Sequence, residues 1–346
     1  MTFRLLPEWH PQDAVMLTWP HQDTDWAANL SAVEQVYLEL SKHISARQRL
    51  LIVADNAELK AQIRSKLVEQ GVDLTQVCFV DAPCNDTWAR DHGPLTLSDG
   101  QELKAIDCQF TAWGGKYQAD KDNAINGQLF AQALNQGVRT QQSDFILEGG
   151  AIEINEHGVL LSTRACVHNK NRNASMSAEQ IDAALAELLG ANKILWLEHG
   201  YLAGDDTDSH IDTLVRFAPN NTLVYVRCDD PQDEHYDELG KMAEELVALR
   251  GLNDEAYELI ALPWPKAVYN SEGDRLPATY ANYLIINDAV LVPTYNDSHD
   301  QVALAQIAKA YPGREVIGVD CCALIEQFGS LHCITMQLPH GFLENK

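Results

Sequence analysis

The chain has 346 residues, 46% of them hydrophobic and 22% charged, which is the composition of a packed globular protein and excludes a disordered tail. Fifty acidic residues against twenty-five basic ones give a formal charge of −25, a surface that repels nucleic-acid phosphates and attracts cations. No Pro/Ser/Gly-rich linker or charge block divides the chain, so one domain over residues 1–346 is expected.

Residues 1–10 lack the apolar run of a signal peptide, and no segment has the roughly 18 apolar residues that span a bilayer, so a cytoplasmic protein without a membrane partner is expected. The eight cysteines contain no C-x-x-C pair, which argues against a zinc ribbon or a redox motif, and most read as small buried apolar residues.

In chain order, apolar runs rich in β-branched residues alternate with helical periodicity. Residues 14–19 read as a strand, 31–44 as a helix, 50–54 as a strand, 56–70 as a helix, 77–80 as a strand and 123–135 as a helix. There follow a strand at 158–163, a helix at 177–189, a strand at 222–227, a helix at 233–249, strands within 283–293, a helix at 299–310 and a strand at 315–319. Hairpin signals fall at Asn155-Glu156-His157-Gly158 and at Asn287-Asp288. Cap signals are Ser177 with Glu179 and Gln180, Asp233 with Glu234, and Gly190 or Gly251 after a helix end. The chain is therefore α/β. A doubly wound sheet fits the alternation, while the internal hairpins suit repeated small modules of strands and one helix at least as well.

Four polar segments interrupt apolar surroundings, and loops at strand ends are where rigid folds place reactive groups. In Asn85-Asp86-Thr87-Trp88-Ala89-Arg90-Asp91-His92, an aromatic face and a carboxylate lie close together, a receptor for a flat cation; the competing reading is a structural turn in which Arg90 pairs with Asp86 or Asp91. Glu148 precedes Gly149 and Gly150, and paired glycines let another backbone or side chain approach closely. In the run from Gly204 to Thr213, His210 and Asp212 share a face if the segment is extended. The acidic residues of that run do not complete a calcium loop, and no metal site is expected. Finally, Cys333 stands between small residues and Thr335 and Gln337 at strand spacing, a pattern compatible with a nucleophile served by a distant histidine.

Together, W-A-R-D-H-G-P (Trp88 to Pro94), A-W-G-G-K-Y (Ala112 to Tyr117), L-E-G-G, the S-H-I-D segment and L-H-C-I-T resemble the agmatine deiminase and bacterial peptidylarginine deiminase family of the guanidine-modifying superfamily. The likeness runs from E-W-H-P at Glu8 to Pro11 as far as Pro339. It implies a pseudo-fivefold α/β propeller of strand-strand-helix-strand modules. It also implies Cys333 as nucleophile, His210 as general acid and base, Glu148 as its orienting partner, and Asp91 with Asp212 as the pair gripping the guanidinium. Trp88, Trp113 and Asp206 are the further candidates for substrate binding. One departure bears on the substrate more than on the reaction class: where agmatine deiminases commonly read G-G-G-N-I-H-C, this chain has Gln327-Phe328-Gly329-Ser330-Leu331-His332-Cys333.

The activity implied is hydrolysis of agmatine to N-carbamoylputrescine and ammonia through a thiouronium on cysteine, with neither metal nor organic cofactor. The expected partner is a small cationic guanidine, and a homo-oligomer is compatible with the reading. A peptidyl or free arginine deiminase would need a group such as Arg164 or Arg172 for the substrate's carboxylate or carbonyl. A polyamine-binding protein with an inert Cys333 is the alternative outside enzymes.

Overall fold

The computed structural model describes residues 2–204 and 209–344. Its contacts divide the chain into two compact units, one of Met1–Phe3, His10–Gly149 and Cys333–Lys346, the other of Arg4–Trp9 and Gly150–His332.

In the first unit a four-stranded sheet runs in the order Thr335–Pro339, Gln12–Thr18, Arg49–Ala54, Val77–Asp81. The first pairing is antiparallel and the other two are parallel. Parallel neighbours need a crossover, and the helices Leu30–Ser45 and Ala57–Glu69 provide one each. Residues 14–17 and 50–54 are wholly buried, as strands covered on both faces require. A second sheet pairs Leu95–Ser98 antiparallel with Leu103–Gln109, which pairs parallel with Arg139–Ile146 after the helix Ile125–Gln132.

The second unit repeats that pattern. Glu153–Ile154 and Val159–Thr163 form a hairpin, and the helix Ala178–Leu189 returns the chain to the parallel strand Lys193–Leu197. Val215–Ala218, Thr222–Val226, the helix Tyr236–Ala248 and Glu258–Leu262 do the same. So do Leu284–Ile286, Ala289–Thr294, the helix Asp300–Ala310 and Glu315–Asp320. A mixed α/β chain with several small sheets is thus what forms, and the hairpins decide against one doubly wound sheet. In the first sheet, the C-terminal strand Thr335–Pro339 takes the place of the hairpin partner.

Local signals account for several boundaries. Ser177 and Gln180 complete both halves of a capping box, and Gly190 ends that helix at φ 65°. The run 283–293 breaks where Asp288 turns to φ 62°. Two cap expectations are corrected. Gly251 does not close the helix Tyr236–Ala248, because Leu249 has already left the helical region at ψ 146°, and His235 rather than Asp233 is its N-terminal cap. Asp233 instead accepts the backbone N–H of His235 at 3.0 Å. Among the described residues, no helix is long and apolar enough to cross a membrane.

Candidate active site

The first unit carries Trp88, Asp91, Trp113, Glu148 and Cys333, and the second carries His210 and Asp212. Asp205, Asp206 and Asp208 lie outside the described residues.

In the first unit, Ala89–His92 forms a single buried helical turn that begins after Trp88. The backbone N–H of Arg90 donates to the carbonyl of Cys333 at 3.1 Å. The Arg90 guanidinium donates to Gln337 Oε1 and, at 3.6 Å, to Met336 Sδ. The turn that carries Asp91 is therefore tied to the strand that follows Cys333, a role for Arg90 that the paired-turn reading did not anticipate. Asp91 Oδ2 accepts the indole N–H of Trp113 at 3.0 Å, which fixes the plane of the carboxylate. Trp113 is set edge-on to Trp88 with ring centroids 6.0 Å apart. It sits within a run of left-handed residues, Ala112 at φ 46°, Trp113 at 56° and Gly114 and Gly115 at 84°, so two glycines follow where the chain must keep turning the wrong way for ordinary side chains.

Behind Trp88, Asp86 Oδ2 accepts its indole N–H at 2.9 Å, and Trp26 donates to Thr87 Oγ1 at 2.9 Å. Burial pushes the Asp86 carboxyl up to about 7, against the lowering effect of the Trp88 hydrogen bond, and Asp122 adds repulsion. Asp122, pushed up to about 6 by burial, accepts the backbone N–H groups of Asn85 and Asp86. The sequence reading gave neither of these carboxylates a place in recognition. The signal for Asp86 was its position two residues before Trp88; Asp122 had none.

Glu148 is buried, and Gly149 after it shows why a glycine is needed: a Cβ there would stand 2.1 Å from the carbonyl oxygen of Arg90. The paired-glycine expectation is met at this position by a backbone. Cys333 is buried with 8% of its surface exposed. The thiols of Cys84 and Cys321 are pushed up by burial, and that of Cys108 to about 12, so none of these three is primed as a thiolate.

In the second unit the segment around His210 is not extended as supposed. Ile211–Thr213 is a short 3-10 turn that starts directly after His210, and Thr213 Oγ1 donates to the His210 carbonyl at 2.9 Å. Ser209, at φ 62°, is held through its carbonyl by Thr163 Oγ1 at 2.7 Å. Asp212 is fully buried; its Oδ2 lies 2.7 Å from His332 Nδ1 and accepts from Asn282 Nδ2 at 3.2 Å. Burial alone would raise this carboxyl, but the His332 hydrogen bond and the charges of His332, His210 and Arg216 hold it below the usual range. Asp212 Oδ1 is buried and has no hydrogen-bond partner among the described residues. A buried, ionised carboxylate with one oxygen left over is suited to a cation.

An amidinotransferase of saxitoxin biosynthesis from Microseira wollei shares the fold at TM-score 0.53 over 99% of each chain with 12% identity, a likeness of fold alone. Residues 4–339 match the family described as Porphyromonas-type peptidyl-arginine deiminase, and the chain belongs to that family.

Closer relatives agree. A Porphyromonas gingivalis protein, assigned provisionally as an arginine deiminase, is 46% identical with TM-score 0.93, over 99% of this chain and 100% of that one. The agmatine deiminase of C. jejuni with substrate bound is 40% identical with TM-score 0.89, over 99% and 97% of the two chains. The agmatine deiminase of Pseudomonas syringae pv. tomato is 28% identical over 98% of this chain and 96% of its own length. The resemblance read from the motifs is borne out.

Proposed function

We propose that the chain is a hydrolytic deiminase of agmatine, with Cys333 as its nucleophile. The observation that carries this is the state of two buried carboxylates: Asp91 oriented by Trp113, and Asp212 held ionised with Oδ1 left over. A guanidinium carbon is a poor electrophile because its charge is delocalised, and two fixed carboxylates hold its plane while drawing positive charge onto the nitrogens. Trp88 and Trp113 supply aromatic surface to the flat cation, and Asp206 is the residue we assign to the far ammonium.

The Cys333 thiolate attacks the guanidinium carbon, forming a carbon–sulfur bond and a tetrahedral adduct. His210 gives a proton to the departing nitrogen, ammonia leaves, and an S-alkylthiouronium remains on Cys333. His210, oriented by Glu148, then takes a proton from water, which attacks the same carbon; the carbon–sulfur bond breaks and N-carbamoylputrescine is released. The cycle consumes one water and returns the thiolate. The protein acts as one deiminase domain of five modules in a pseudo-fivefold propeller, and works in the cytoplasm. The full-length likeness to agmatine deiminases supports both the reaction and the substrate.

Agmatine is favoured over arginine because it is a dication with no carboxylate to bind. Arg164, a candidate for such a carboxylate, is already engaged by Glu198 at 2.5 Å. The test is a substrate panel of agmatine, arginine and an arginyl peptide, with ureido product and ammonia measured. Agmatine is expected to have the highest kcat/KM, C333A to bind agmatine without turnover, and a chelator to leave the rate unchanged. Preference for arginine would overturn the substrate, and turnover by C333A the mechanism.

A further inference from the structure

Two residues within the recognised motifs have no part in that chemistry: Glu8, which opens E-W-H-P, and His332, which precedes Cys333. Both belong to the same compact unit as Asp212. The His332 ring is wholly buried, with Nδ1 2.7 Å from Asp212 Oδ2 and Nε2 2.7 Å from Glu8 Oε1. Carboxylates only accept, so both contacts are hydrogen bonds when both ring nitrogens carry protons.

Arg216 anchors the far end. Its Nη2 donates to Glu8 Oε2 at 2.5 Å and lies 3.0 Å from His332 Nε2. Its Nε donates to Glu153, its Nη1 to the carbonyls of Ala281 and Tyr283 at 3.1 and 2.8 Å, and its guanidinium lies over the Tyr283 ring at 4.7 Å. Since Asp212 can only accept, Nδ1–H is the donor to it. His332 also reaches Asp212 indirectly, since its backbone N–H donates to Asn282 Oδ1 at 2.9 Å while Asn282 Nδ2 donates to Asp212 Oδ2.

We infer that Glu8 and His332 are positioning residues for guanidinium recognition: His332, clamped by Glu8 and Arg216, occupies Asp212 Oδ2 and leaves Oδ1 as the oxygen presented to substrate. The inference rests on the reading of Asp212 as a guanidinium ligand.

The experiment measures kcat and KM for agmatine, and Kd in the C333A background, for H332A, H332N, E8Q, D212N and the H332A/D212N pair. H332A is expected to raise KM and Kd by about 10- to 100-fold, the range for loss of a hydrogen bond to a charged group, with a smaller fall in kcat. H332N, which can keep one donor toward Asp212, should recover part of the loss, and E8Q should shift KM in the same direction as H332A. Added to D212N, H332A should change little, because its effect passes through that carboxylate. KM and Kd within about twofold of the parent for both H332A and E8Q would overturn the inference, as would the full H332A penalty persisting in D212N. Should H332A fail to fold, E8Q decides alone, since Glu8 is partly exposed and the substitution keeps its shape. Wild-type binding by D212N would instead remove Asp212 from recognition, and this inference with it.

Discussion

Trp113 reaches Asp91 with its indole N–H at 3.0 Å from a backbone at φ 56° and ψ 46°. A tryptophan in the left-handed region costs on the order of 1–3 kcal/mol, and that cost is met here by a turn whose next two residues are glycines. Strain of this kind persists where a side chain must be delivered to one place, and here the place is a carboxylate proposed to bind substrate.

Replacing Trp113 by Phe keeps a ring but removes the donor. Without it Asp91 loses one of the contacts that set its plane, and agmatine meets a less well oriented carboxylate. KM should rise about tenfold, the equivalent of one hydrogen bond to a charged group, with kcat falling less. Steady-state kinetics on W113F check this; an unchanged KM would show that Asp91 is held by other means.

Gly149 is packed so closely that any Cβ collides with the backbone of Arg90 at 2.1 Å and crowds Met336 Cε at 3.1 Å. Forcing a methyl group into such a contact costs about 1–3 kcal/mol or more. G149A should therefore lower the urea midpoint. It should also depress kcat/KM, because Glu148 is the preceding residue and Arg90 is tied to the Cys333 carbonyl. A variant as stable and active as the parent would mean that the backbone yields there without consequence.

Much of this was legible in the chain itself. Residues 50–54 read as a strand because a run of apolar residues buried on both faces has no other short solution. Arg139–Ile146 was missed for the opposite reason: most of its side chains are exposed and polar, so it carries no apolar run to find. The helix expected at 123–135 shortens to Ile125–Gln132 because a 3-10 turn, Asp122–Ala124, precedes it. At the site, the motifs named Asp91, Trp113 and Asp212, but not what holds them. Trp113 and Asp91 are 22 residues apart, and Glu8 and His332 are 324 apart, distances over which no local pattern reports a contact.

Asp86 predicts an unusual pH dependence of stability. Its ordinary value is 3.8 and burial raises it to about 7 in the folded protein. Between those values the folded state holds a proton that the unfolded state has lost, so stability falls as pH rises through the window. Asp212 acts in the other sense: its carboxyl is held down, so its contribution is present above the ordinary value and is lost on acidification below it. D86N should match the parent in thermal stability only near pH 4 and exceed it by a growing margin, several degrees by about pH 7 and constant above that, measured by calorimetry from about pH 4 to about pH 8. Parallel pH profiles for the two proteins would show that Asp86 is ionised throughout.

A covalent intermediate is the most direct consequence of a cysteine nucleophile. Attack by sulfur followed by loss of ammonia leaves the protein heavier by agmatine less ammonia until water arrives. Acid quenching during turnover stops that second attack, and peptide mapping by mass spectrometry should place the added mass on Cys333. Cys84, Cys108 and Cys321, held as buried thiols, should stay unmodified. Slowing the hydrolytic half by raising pH would not help, since a neutral His210 could not donate the proton it is proposed to give to the leaving nitrogen; substituting deuterium oxide, which slows proton transfer from water, should increase the trapped fraction when the second half limits turnover. Added mass on another cysteine would transfer the nucleophile's role to that residue, and full turnover with no adduct in either solvent would favour direct attack by water.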